Sequence, residues 1–141
     1  MDNKTFIKVY DNAIPDTFCD ELIQKFESNQ DQWEKRDMSS AKRTLSFNEI
    51  HCFNHMETWE DDTKKLADTF IQYIDDYKSN YHEYCFPKKF GFEPFKMKKY
   101  DSNGVDEFGW HVDVNSRGSM HRWLGFFPVS YTHLRAHETR L

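Results

Sequence analysis

FKMKKYDSNGVDEFGWHVDVNSRGSMHRWLGFF, residues 95–127, is the stretch on which the reading of this chain turns. Up to Tyr100 it alternates apolar and polar residues, and DSNG (101–104) then supplies a turn. EFGWHVDVN (107–115) reads as a second strand, SRGS (116–119) as a loop and HRWLGFF (121–127) as a third strand. In a strand, residues i and i+2 project from one face, so His111 and Asp113 are predicted to point together, with Val112 and Val114 on the opposite side. An imidazole nitrogen and a carboxylate oxygen held in this way are two of the three groups of the facial triad that binds non-haem Fe(II) and leaves coordination positions open. The bare H-x-D pattern also fits a surface histidine beside a strand-end aspartate, so its context has to decide.

Upstream, FIKVY (6–10) reads as a short strand. IPDTFCDELIQKFESN (14–29) reads as a helix, with Phe18, Leu22, Ile23 and Phe26 on one face and Pro15 and Asp16 as its start signal. Residues 29–50 are polar and irregular apart from LSFNEI (45–50), a candidate strand. From Thr58 to about Tyr84 the recurrence of Trp59, Leu66, Phe70, Ile74, Tyr77 and Tyr81 predicts a second helix whose aromatic stripe faces the core. Helices followed by short strands predict an α+β fold, with the helices backing an antiparallel sheet.

Only 38% of the residues are apolar, but 13 Phe, 7 Tyr and 4 Trp give a few side chains much of the burial, enough for one globular domain. The net charge of −5 offers no basic footprint for a nucleic acid or an anionic membrane, and neither is expected as a partner. KKFGFEPF (88–95) carries part of the aromatic pattern of an RNA-recognition strand, yet Lys89 stands where that pattern has glycine and Pro94 interrupts the run. Its phenylalanines are predicted to pack on the helices instead. Cys19, Cys52 and Cys85 are odd in number and lack C-x-x-C spacing, and no leader or membrane-spanning run is evident. A reduced, cytoplasmic protein is expected.

With the strand ending in Tyr100, the glycine-containing turn, the aromatic residues, H-x-D, the loop and Arg122, residues 95–127 resemble the first metal-bearing half of the prolyl 4-hydroxylase-like branch of the Fe(II)/2-oxoglutarate-dependent dioxygenases. KVYDNAIPDTFCDELIQKFE (8–27) is similar to the strand-and-helix opening of that branch. The resemblance implies part of a double-stranded β-helix, or jelly roll, with His111 and Asp113 as proximal iron ligands. It places Tyr100 beside 2-oxoglutarate and Arg122 near the substrate entrance, and it makes Trp110 and Phe108 pocket walls. It implies Fe(II), 2-oxoglutarate as co-substrate and ascorbate as reductant. The implied reaction is oxidative decarboxylation of 2-oxoglutarate to succinate and CO2, coupled to hydroxylation of a small-molecule or peptidyl substrate. The competing expectation is a non-catalytic jelly-roll binding or structural domain.

The resemblance also implies a second histidine and a basic residue on later strands, on the order of 40 residues beyond the first pair. Only residues 114–132 separate Asp113 from His133, so the third ligand is expected to be absent from this chain and its C-terminal strands missing. SYTHLRAHET (130–139) is similar to a peptide produced when sequencing-adapter DNA is translated. The expected organisation is therefore a strand and helical support region (1–90), the first half of the jelly-roll core (91–127) and a non-native tail (128–141). His133 and His137, an H-x3-H pair beside Glu138, would suit a zinc site by spacing alone. With two iron ligands and no clamp, the chain is expected to bind iron weakly, turn over little and associate through an open HRWLGFF edge.

Overall fold

Pro15 sets the start of α1 (Asp16–Ser28), its carbonyl accepting the amides of Phe18 and Cys19 at 3.0 and 3.1 Å. Asp16 in the first turn and Lys25 in the last both complement the helix dipole. Leu22 and Phe26 are buried and Phe18 and Ile23 half-buried, on the predicted face. The structure is a computed structural model and describes residues 6–38 and 45–129.

The second helix, α2, runs from Met56 to Ser79 and buries Trp59, Leu66, Phe70, Ile74 and Tyr77, as the stripe predicted. It ends short of the expected Tyr84 because the Asn80 side-chain amide donates to the Asp76 carbonyl at 2.8 Å, satisfying the terminal turn; one 3-10 turn (Glu83–Cys85) follows. FIKVY forms no strand. It lies along α2 instead, where the Tyr77 hydroxyl donates to the Phe6 carbonyl at 2.8 Å and Lys8 and Tyr10 both reach Asp76.

Between the helices stands β2 (Leu45–His51), the strand that LSFNEI predicted. Antiparallel to it, β1 (Glu34–Asp37) pairs Glu34 with Glu49 and Asp37 with Ser46. Four charged residues give no apolar alternation, so β1 was not legible; it is a strand because β2 offers a free edge. The opposite edge of β2 takes β3 (Lys96–Lys99), with His51 opposite Lys96, and further along β4 (Glu107–Phe108), with Leu45 opposite Phe108. Residues 100–106 loop out between β3 and β4, turning at Gly104, whose φ of 72° suits glycine. The result is an α+β fold in which two helices back a four-stranded antiparallel sheet that does not close.

One sheet face packs on the helices: Ile50 joins Leu22, Phe26, Trp59, Leu66 and Phe70 in the core, with Met97 against it. Alternation along β2 turns Phe47, Glu49 and His51 to the other face.

Two predicted strands are corrected. Of residues 107–115 only Glu107 and Phe108 form a strand, paired with Ser46 and Leu45; the partners that the register of β2 would give residue 109 and beyond lie outside the described residues. HRWLGFF forms no strand among the described residues: Phe126 stacks on Phe70 at 4.8 Å and Trp123 meets Phe86 and Phe90 edge-on, which holds these rings on and beside α2, while Phe127 stays exposed.

Asp106 closes the excursion onto the sheet. Its carboxylate accepts from the Ser46 hydroxyl at 2.7 Å and the Asp101 amide at 3.1 Å and pairs with Lys35 at 3.2 Å; these bonds, Ser46 foremost, hold its pKa well below the carboxylate range. A depressed folded-state pKa stabilises the fold above the unfolded value, near 4, and that contribution is lost as the pH falls further. Denaturant titrations at pH 7 and pH 3 should therefore show Asp106→Asn less stable than the parent at pH 7, with a smaller loss on acidification.

Candidate metal centre

His111 and Asp113 come together without the strand that was expected to align them. Both lie in irregular backbone after β4, yet His111 Nε2 and Asp113 Oδ1 are 3.0 Å apart. The other ring nitrogen, Nδ1, is 2.9 Å from the Gly109 carbonyl. A neutral imidazole carries a single N–H and cannot donate to both oxygens. In the neutral form, donation from Nδ1 to Gly109 would fix the ring and turn the Nε2 lone pair toward Asp113, the outer-sphere arrangement usual for metal-binding histidines, whereas a protonated ring donates to both oxygens as an ion pair. Two bonds of about 2.1 Å meeting at a right angle on an octahedral metal set their donor atoms about 3 Å apart. The pair therefore has the bite of two adjacent ligands. Among the described residues, no third His, Cys, Asp or Glu donor lies within 4.8 Å of both.

Neighbouring rings hold the site against the sheet. The His111 ring stacks on Phe108 with centroids 3.9 Å apart, Phe108 meets Phe47 at 5.6 Å, and Tyr100 meets Phe47 at 5.1 Å. Tyr100 thus shares an aromatic platform with His111. Burial raises its pKa, which keeps the phenol protonated. Trp110 is fully exposed and contributes no wall here. Arg122, expected at the entrance, holds the loop: its Nη1 donates to the Asp113 carbonyl at 3.0 Å and its Nε to Glu93 at 2.7 Å. Ser119, buried, accepts the amides of Asn115 and Ser116 at 3.0 and 3.1 Å and closes the turn after Asp113.

A second cluster on the same sheet face went unread in the sequence. Ligand atoms of Glu34, Glu49 and His51 lie within 4.8 Å of one another. The Arg36 guanidinium sits among them: Nε donates to Glu49, while Nη2 is 3.1 Å from Glu34 and 3.2 Å from His51. Burial pushes the Glu49 carboxyl up, but hydrogen bonds from Arg36 and His51 outweigh it and hold the group below its ordinary value. The cation of this cluster is Arg36, and the network ties β1 to β2. The i, i+2 pairs Glu34/Arg36 and Glu49/His51 were the available signal. Arg36→Ala, which strands the buried Glu49 carboxylate, should cost about 2–3 kcal/mol in chemical denaturation, and adding Glu49→Gln should recover part of that loss.

Asp113 also lines a groove of about 380 Å³ whose other walls include Tyr77, Tyr81, Phe86, Trp123 and Leu124. Cys52 is buried, its thiol pushed up to about 11, and Cys19, Cys52 and Cys85 are all free thiols. Among the described residues no helix is long and apolar enough to cross a membrane. His133, His137 and all of the expected 128–141 tail except residues 128 and 129 lie outside the described residues. Comparison with protein-family models, curated proteins and solved structures finds no match for the chain.

Proposed function

We propose that the chain carries the iron-binding half of an Fe(II)- and 2-oxoglutarate-dependent hydroxylase of the prolyl 4-hydroxylase-like type, its open sheet being part of a jelly roll. The observation that carries this reading is the 3.0 Å approach of His111 Nε2 to Asp113 Oδ1, with Nδ1 set on the Gly109 carbonyl. His111 and Asp113 would hold the metal, and when bound it would supply the oxidative chemistry that couples 2-oxoglutarate decarboxylation to C–H hydroxylation. The protein's own part is positional. Arg122 steadies the backbone of Asp113, the Phe108 ring holds the imidazole, and the apolar groove that includes Asp113 suits a prolyl or similar apolar side chain of a small or peptidyl substrate.

The test is anaerobic addition of Fe(II) and 2-oxoglutarate to the full chain, followed by visible absorption. An α-keto acid chelated to Fe(II) gives a charge-transfer band that neither component gives alone. The band is expected in the parent and absent in Asp113→Ala, with succinate release on admitting oxygen slow, because the described residues bring only two protein donors together. A band of equal intensity in Asp113→Ala would overturn the reading. So would its absence from the parent, which favours the plain ion pair of a non-catalytic binding domain.

A further inference from the structure

Lys98 lies two residues before Tyr100, just ahead of the excursion, and both side chains reach the ring of Phe47 on the sheet face away from the helices. The Lys98 ammonium is 4.9 Å from the centroid of Phe47 and 4.6 Å from that of Phe108, the ring on which His111 stacks. Lys98, Tyr100 and His111 are therefore grouped on one two-ring platform. Of the neighbouring basic side chains, Lys99 is 2.7 Å from Glu27, Lys35 is 3.2 Å from Asp106 and Arg36 is bonded to Glu49, whereas Lys96, like Lys98, makes no ion pair within 4 Å among the described residues; of these two only Lys98 lies over the Phe47 and Phe108 rings. Lys98 is exposed. Of the carboxylates that act on it, Glu49, directly across the ladder, acts more strongly than Asp113, and Asp113 is the one that belongs to the candidate metal pair.

We propose that Lys98 is a co-substrate-binding residue whose ammonium pairs with a carboxylate of 2-oxoglutarate bound at His111 and Asp113, with the Tyr100 hydroxyl beside it. This rests on the function proposed above. A dicarboxylate needs a cation in addition to the metal, and an ammonium over aromatic rings is already partly desolvated, which strengthens its pairing with an anion. A surface lysine merely covering Phe47 and Phe108 with its stem would act on an anion bound near His111 only through its screened charge, a few-fold effect at most.

Calorimetric titration of the Fe(II)-loaded chain under anaerobic conditions separates the two. The ligands are 2-oxoglutarate and 2-oxobutanoate, which lacks the distal carboxylate, and the proteins are the parent, Lys98→Met and Lys98→Arg. Lys98→Met should weaken 2-oxoglutarate by about ten- to a hundredfold, and Lys98→Arg should restore most of the loss. A loss confined to 2-oxoglutarate assigns Lys98 to the distal carboxylate, and a loss on both ligands assigns it to the carboxylate next to the keto group; either supports the proposal. A 2-oxoglutarate affinity in Lys98→Met within a few-fold of the parent's overturns it while leaving the metal site standing. Failure of the Fe(II)-loaded parent to bind either keto acid overturns both readings.

Discussion

Trp59→Ala is expected to destabilise the chain by about 3–5 kcal/mol, a large share of what a domain of this size has to lose. Trp59 is 0% exposed, packs where α1, α2 and Ile50 of β2 converge, and donates from Nε1 to Gln32 Oε1 at 2.8 Å. Truncation removes the largest fully buried side chain and leaves a cavity that two helices and a strand would have to close together. Lys25, paired with Asp62 at 2.6 Å, would also lose the ring beneath its ammonium. Urea unfolding followed by far-ultraviolet circular dichroism should show a much lower midpoint, or a chain already unfolded without denaturant. Trp59→Phe keeps most of the volume but strands the Gln32 oxygen, and should cost less than half as much.

The second large effect concerns Asp113→Ala, which should weaken Fe(II) binding by about a hundredfold or more, since even the outer partners of metal ligands are worth 10–100-fold. His111→Ala should do the same. Neither should lower stability appreciably in the absence of metal, because both side chains are exposed and away from the core. Arg122→Ala should fall between the parent and Asp113→Ala in affinity, as it frees the Asp113 backbone and leaves both donor groups present. Equilibrium dialysis under anaerobic conditions ranks the three variants. A ranking in which Arg122→Ala is the weakest would contradict the positioning role assigned to it.

The two helices were legible because each carries its own periodicity, Leu22 and Phe26 in one and Trp59 through Tyr77 in the other, and LSFNEI read as a candidate strand between them. The helix faces needed no tertiary information. β1 was not legible, because Glu34–Asp37 becomes a strand only through its pairing with β2. The expected strand over residues 107–115 reads well in isolation, but a strand needs a partner beyond Phe108, and local sequence does not say whether one is present. The H-x-D spacing did predict that His111 and Asp113 would meet. It gave the wrong reason, since a bend, the Gly109 carbonyl and the Phe108 ring bring them together rather than pleat alternation. Lys98 and the Arg36 network were hidden among many charged residues. What distinguishes them is which rings and carboxylates lie nearby, and that depends on the register of β3 and β1 against β2.

The central claim is that His111 and Asp113 bind iron, and isothermal titration of the full chain with Fe(II) under anaerobic conditions tests it most directly. The predicted result is one site per chain, abolished in the His111→Ala/Asp113→Ala double variant and unchanged in Glu49→Gln/His51→Ala. Retention of the site in the first variant, or its loss only in the second, would contradict the claim and move the metal to the Arg36 cluster on the neighbouring strands.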